Sequence, residues 1–164
     1  MNTDTHTPQQ YAASLERIRA AIDAEPDGRR APALAVGYLK QDFPDYSWVG
    51  IYFLEGEELV LGPFVGKPSP HTRIPLGQGI CGAAATGKAT IIVDDVNADP
   101  RYLACSIETR SEIVVPIMLD GEVFGEIDID SDRPAAFGAP DRALLEGVAA
   151  LLAPRLKASR PDAH

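Results

Sequence analysis

Two cysteines are the residues of this chain whose surroundings point most directly to chemistry. Cys81 lies in a glycine-rich stretch that predicts the start of a short helix, and Cys105 lies in an irregular stretch before an apolar strand. The free N–H groups and positive dipole end of a helix N-terminus favour a thiolate, and a thiol on a loop is accessible. The pair therefore indicates redox chemistry, with inert core packing of the two thiols as the alternative.

Acidic residues form a second group. Asp128 and Asp130 alternate with Ile127 and Ile129 in a predicted strand, so the two carboxylates share the face opposite to the isoleucines. Carboxylates side by side favour a bound ammonium group or a shared proton, and an ordinary solvated strand face is the alternative. Glu112 precedes a wholly apolar strand, where it is either an acid in a pocket or an exposed first residue.

An aromatic group lies on another predicted strand. Trp48, Gly50 and Tyr52 share one strand face, because alternate residues of a strand point the same way. Such residues commonly pack in a hydrophobic core. The functional interpretation is an aromatic wall, with Gly50 leaving room for a ligand.

The glycine-rich stretch also matches a dinucleotide-binding pattern through Gly77, Gly79 and Gly82. The strand before it and the helix after it are too short for the βαβ unit that this pattern requires. We expect the glycines instead to allow a tight turn that brings Cys81 and backbone N–H groups close to a small ligand.

No metal or cofactor is expected. The alternating aspartates resemble the start of a calcium loop, but Arg133 and Ala139 stand where that loop needs glycine and glutamate. His6, His71 and His164 are too scattered to form a histidine ligand set for zinc or iron.

The bulk composition limits the remaining function classes. A length of 164 residues suits a single domain with its own core. The net charge of −9 disfavours nucleic acid and anionic membranes as partners. The chain lacks an apolar run long enough to span a bilayer and a signal-like N-terminus, so we expect a cytoplasmic protein.

The periodicity predicts helices at both ends and about six strands between them. Thr7 and Gln10 form a predicted capping box at the first helix, and Pro140 opens the last one. Asp120 and Gly121 predict a two-residue hairpin turn, because both positions need positive φ. Hairpin connections indicate an α+β fold with a mostly antiparallel sheet and helices on one face.

These motifs together resemble the GAF domain and, more specifically, the free methionine-(R)-sulfoxide reductases, which are stand-alone GAF proteins. The resemblance covers most of the chain from about residue 46 onward. The matching segments are residues 48–52, 61–64, 73–82, 95–102, 104–105, 111–117, 121–125 and 128–131, with the closing helix.

The resemblance implies that residues 1–164 form a single GAF domain with short tails. Its expected fold is a central six-stranded antiparallel sheet, with the N- and C-terminal helices on one face and a ligand pocket under loops on the other. It also implies a homodimer that reduces free methionine-(R)-sulfoxide and is recycled by thioredoxin or another thiol.

The same resemblance assigns roles to residues. Cys105 matches the cysteine that attacks the sulfoxide sulfur and becomes a sulfenic acid, and a carboxylic acid, which we assign to Glu112, protonates the sulfoxide oxygen. Substrate-binding positions match Trp48 and Tyr52, which receive the methyl group, and Asp128 and Asp130, which hold the polar groups together with Glu112.

One position departs from the family pattern. His71 stands where these proteins commonly carry a third cysteine, which is often the resolving thiol. Either Cys81 resolves the Cys105 sulfenic acid, or an external thiol does, or activity is lost. The alternative function is a non-catalytic GAF module that binds a small ligand or senses redox state.

Overall fold

The computed structural model describes residues 6–104 and 106–159, so Cys105 and both chain ends lie outside the described residues. Four helices and six strands follow one another as α1 (Pro8–Ala24), α2 (Ala31–Asp42), β1 (Trp48–Glu55), β2 (Glu58–Val65), β3 (Arg73–Pro75), α3 (Gly79–Gly87), β4 (Ile91–Val93), β5 (Ser111–Leu119), β6 (Glu122–Ser131) and α4 (Ala139–Ser159). No helix in this part of the chain is long and apolar enough to cross a bilayer.

Local sequence signals set the ends of these elements. The capping box at α1 is present, with Gln10 N–H donating to the Thr7 hydroxyl and the Thr7 N–H donating to the Gln10 side chain. Asp120 and Gly121 both have positive φ, at 54° and 80°, in the turn between β5 and β6. Both predictions are therefore confirmed, because each rests on chemistry within a few residues.

The predicted α+β architecture is confirmed. The six strands form one antiparallel sheet in the order β3-β2-β1-β6-β5-β4. Helices α1, α2 and α4 cover one face, where their apolar side chains pack on residues such as Val49, Ile113 and Ile127. Helix α3 packs on the other face, over a smaller core that includes Trp48 and Tyr52.

The register of the three middle strands aligns the polar residues of this second face in rows. Asp130 of β6 pairs with Trp48 on one side and with Glu112 on the other. Asp128 pairs with Gly50 in the next row. Since alternate residues share a face, the sheet displays acidic and aromatic side chains together beneath α3.

Two strands are longer than the sequence predicts. β5 begins at Ser111, so Glu112 lies within the strand and pairs with Val93 of β4. β6 continues to Ser131. The apolar runs that predict these strands are shorter than the paired strands themselves. The polar residues beyond each run still form backbone hydrogen bonds with the neighbouring strand.

Candidate active site

An acidic cluster lies at the centre of the second face. Glu112, Asp128 and Asp130 are 5%, 2% and 3% exposed, so the carboxylates are buried and neither a solvated strand face nor an exposed first residue describes them. Burial raises the pKa of Asp128 and Asp130, and the neighbouring Asp128 charge raises that of Asp130 further. The Glu112 carboxyl hydrogen bonds to both aspartates, which requires that the cluster holds protons.

Cys81 lies directly against this cluster. It is the third residue of α3, and its Sγ lies within 4.8 Å of a carboxylate oxygen of Glu112 and one of Asp128. The positive φ of Gly79, 73°, lets the chain turn into α3 there. Gly82 permits close packing, since a Cβ atom there would collide with the backbone of Leu76. The glycine-rich stretch thus serves the turn and the packing that bring Cys81 to the sheet.

The prediction that the helix N-terminus favours a Cys81 thiolate is wrong. Cys81 is 5% exposed, and burial raises the pKa of its thiol well above the ordinary value. The neighbouring charges of Asp128, Glu126 and Glu112 raise it further. Desolvation and three carboxylates outweigh the dipole of a helix of nine residues.

Glu126 is a fourth acidic residue of the site, which the sequence analysis missed. It is completely buried on β6 next to Cys81, and neither carboxylate oxygen has a hydrogen-bond partner among the described residues. Burial raises its pKa well above the usual range. The signal was available, because the alternation that pairs Asp128 with Asp130 extends two residues back to Glu126.

The aromatic wall is present on β1. Trp48 and Tyr52 have ring centroids 6.5 Å apart, and Trp48 also stacks on Phe64 of β2 at 5.6 Å. The expected space over Gly50 is absent, because the Trp48 indole itself covers that glycine and a Cβ atom would collide with it. The missing side chain at position 50 therefore accommodates the tryptophan ring rather than a ligand.

Two loops lie over the aromatic wall. Trp48 donates its Nε1–H to the Lys67 carbonyl at 2.9 Å, and Tyr52 donates its hydroxyl to the His71 carbonyl at 2.8 Å. The Lys67 ammonium forms an ion pair with Glu108 at 3.0 Å. The aromatic side chains thereby tie the loop of residues 66–71 to the sheet, and Lys67 links that loop to the one that contains residues 106–109.

His71 is close to the chain segment that carries the predicted nucleophile. Its Nε2 lies 3.0 Å from the carbonyl oxygen of Ala104. Cys105 follows Ala104 directly, but it lies outside the described residues, so its predicted role remains a prediction. A side chain at position 71 can reach the neighbour of Cys105.

Two cavities differ in their chemistry. A small one, about 60 Å³, opens between the two loops and has Trp48 and Asp130 in its wall. A larger one, about 1060 Å³, lies elsewhere, between the β1–β2 turn and the ends of α2 and α4, and its wall includes Phe53 and Phe124. Asp130 of the acidic cluster and Trp48 of the aromatic wall line the smaller cavity, whereas no residue of either group lines the larger one. The smaller cavity is therefore the candidate active site.

Comparison with known proteins identifies the family of the chain. The GAF domain family model matches residues 35–156. A free methionine-R-sulfoxide reductase of Escherichia coli is 37% identical over 123 residues, which is 74% of each chain. One of Saccharomyces cerevisiae is 46% identical over 112 residues, 66% of this chain and 62% of that protein.

A solved structure covers nearly the whole chain. The free methionine-R-sulfoxide reductase of Neisseria meningitidis, determined in complex with its substrate, superposes with a TM-score of 0.89 at 38% identity, over 98% of this chain and 96% of that one. The family model, the sequence identity and the structural superposition agree, and the chain belongs to the GAF-domain family and, within it, to the free methionine-R-sulfoxide reductases.

Proposed function

We propose that this protein reduces free methionine-(R)-sulfoxide to methionine in the pocket beneath the two loops. The observation that carries the proposal is the cross-strand row of Trp48, Asp130 and Glu112, which places an aromatic surface beside buried carboxylates. Free methionine sulfoxide offers an apolar S-methyl group and an ammonium group at opposite ends, and this row matches both. Relatives over most of the chain are named for that activity.

The carboxylates supply selectivity for the free amino acid. Asp128 and Asp130 take part in no ion pair with any described residue, and each has one buried oxygen without a hydrogen-bond partner. A buried carboxylate gains much from a cation that pairs with it. The α-ammonium group of a free amino acid is such a cation, whereas a methionine within a peptide has none.

Cys105 is the proposed nucleophile. Its sulfur loses the thiol proton and forms a bond to the sulfoxide sulfur, while the sulfoxide oxygen accepts a proton from Glu112. The resulting hydroxyl group then moves to the Cys105 sulfur as the S–S bond breaks and methionine leaves, and Glu112 regains the proton that the thiol released. The products are methionine and a Cys105 sulfenic acid, so the sulfoxide is reduced by two electrons while the thiol is oxidised. Trp48 and Tyr52 form the surface that receives the methyl group.

Cys81 is the proposed resolving thiol. Its sulfur displaces hydroxide from the sulfenic acid, the thiol proton converts that hydroxide to water, and a disulfide between Cys81 and Cys105 remains. A dithiol such as thioredoxin then reduces the disulfide. The burial of Cys81 makes an external thiol the competing route, and peptide mapping after one turnover separates the two.

We also propose that the protein acts in the cytoplasm as a homodimer, in keeping with its family resemblance. A reducing compartment would maintain both cysteines as thiols between turnovers. Light scattering of the purified chain tests the dimer, with a monomer mass as the contrary result.

The experiment that tests the function is steady-state turnover with dithiothreitol as reductant. We expect methionine to form from the free (R)-sulfoxide, and no comparable rate with the (S)-epimer or with a peptide that contains the sulfoxide. Tight binding of the free amino acid without turnover would instead favour the non-catalytic GAF module.

A further inference from the structure

One thiol and two carboxylates converge on a common point from three different elements. Cys81 comes from α3, Glu112 from β5 and Asp128 from β6. One potential ligand atom from each lies within 4.8 Å of the other two, and the three residues are 5%, 5% and 2% exposed. Ligands from separate elements, held by a helix and two paired strands, form a pre-organised set rather than a surface cluster.

The carboxyl groups of Glu126 and Asp128 around this point form no ion pair with any described residue. Both oxygens of Glu126 and one oxygen of Asp128 are buried without a hydrogen-bond partner among the described residues. Buried carboxylates in this state require protons or a cation, because isolated charges are costly to bury.

The donor set is selective for the kind of cation it can bind. A thiolate with two carboxylates is a borderline-soft set, which suits zinc better than calcium or magnesium. Tetrahedral coordination at normal Zn–S and Zn–O lengths places the ligand atoms about 3.3–3.5 Å apart. The separations in the structure are within 4.8 Å, so the side chains would move closer by up to about 1.5 Å when the ion binds.

We propose that Cys81, Glu112 and Asp128 form a zinc-binding site, with a water molecule as the fourth ligand. The Cys81 thiol loses its proton when the Zn–S bond forms, and no electrons are transferred. Glu126, next to Cys81, stabilises the dication without binding it directly. This set contains no histidine, so the scattered histidines of the sequence give no sign of it.

Zinc at this position would also regulate the reaction, a consequence that rests on the proposed function. The ion would occupy Glu112 and Asp128, two carboxylates assigned to the substrate, and would hold the sulfur of Cys81, the proposed resolving thiol. Zinc and free methionine sulfoxide would therefore exclude each other, and a chelator would restore turnover.

Direct binding to the reduced full-length chain tests the site without any turnover. Calorimetry with Zn²⁺ and absorption with Co²⁺ are the two measurements, since a cobalt–thiolate bond gives a charge-transfer band. We expect one ion per chain in the wild type, and an affinity at least about 100-fold lower in Cys81→Ser and in Asp128→Asn. Glu126→Gln should bind about tenfold more weakly.

Two control variants locate the site. Glu57→Gln, at an exposed carboxylate in the β1–β2 turn, and Cys105→Ser should both retain wild-type affinity and the cobalt band. Circular dichroism melting confirms that each variant folds, and Asp128→Asn stands in for Cys81→Ser if the latter does not. The proposal would be overturned by wild-type affinity in both Cys81→Ser and Asp128→Asn, by loss of binding in Cys105→Ser, or by no binding to the wild type.

The test separates this site from the proposed function. Zinc binding with the expected variant pattern, together with absence of reductase turnover, would support the site and reject the function. Turnover that excess zinc leaves unchanged, with no zinc binding by calorimetry, would support the function and reject the zinc site.

Discussion

Glu126 of β6 and Cys81 of α3 lie next to each other on the pocket face of the sheet, and both are buried. Each raises the cost of ionising the site, because a buried thiolate and a buried carboxylate repel each other in a medium of low polarity. The pair is consistent with a site that holds its protons until a cation arrives. It also contributes to the raised pKa of the Cys81 thiol.

This burial predicts a pH dependence of stability. Burial raises the pKa of Glu126, so the folded state holds a proton that the unfolded state releases above its ordinary pKa of about 4.3. The contribution of Glu126 to stability is therefore largest in acid and falls as pH rises toward its raised pKa, by about 1.4 kcal/mol per pH unit. Glu126→Gln should flatten this slope by about that amount in urea unfolding between about pH 5 and 7.

An unchanged slope in Glu126→Gln would show that Glu126 does not titrate differently in the folded state. Glu57→Gln is the matched control, because this carboxylate is exposed in the β1–β2 turn.

The substrate-binding carboxylates predict a specific kinetic change. A buried charge-assisted hydrogen bond contributes about 1.5–3 kcal/mol, so Asp128→Asn should raise KM for the free sulfoxide about 10- to 100-fold. Glu112→Gln should lower kcat as well, because it also removes the proposed proton donor. A KM in Asp128→Asn within twofold of the wild type would remove Asp128 from the binding site.

The contact between Trp48 and Gly50 predicts a spectroscopic change. Gly50→Ala introduces a methyl group where the indole lies, which should displace the ring at a cost of about 1–3 kcal/mol. Trp48 is the only tryptophan, so its emission should shift to the red and turnover should fall. Gly37→Ala is the control, since nothing lies within 4 Å of its added Cβ and emission should not change.

The position of His71 predicts that a cysteine introduced there would form a new disulfide. His71→Cys would place a thiol where the side chain reaches Ala104, the neighbour of Cys105. We expect a disulfide between positions 71 and 105 after one turnover without reductant, in place of the one to Cys81. Peptide mapping detects either product. If the variant formed the Cys81–Cys105 disulfide and no disulfide from position 71, the inference that position 71 reaches Cys105 would be wrong.

Several features of the fold follow from the sequence because they depend on local chemistry. The capping box at Thr7 and the positive-φ turn at Asp120 need only their immediate neighbours. The shared face of Asp128 and Asp130 follows from strand alternation alone. The packing of α3 on that face does not follow from the sequence, since it is a tertiary contact that no local pattern encodes.

The state of Cys81 shows the same limit. Its place at a helix N-terminus is readable from the glycines, but its pKa depends on three carboxylates from two distant strands. Similarly, Gly50 leaves space in any strand, and only tertiary packing shows that Trp48 fills it.

A single-turnover measurement tests whether Cys105 is the nucleophile that reduces the sulfoxide. Reduced protein is mixed with excess free methionine-(R)-sulfoxide without reductant, and methionine per chain is counted. We predict about one methionine in the wild type and in Cys81→Ala, and a rate lower by on the order of 10³-fold or more in Cys105→Ser. Methionine formation at an undiminished rate by Cys105→Ser would exclude Cys105 as the nucleophile. No methionine from the wild type would exclude the proposed reductase function.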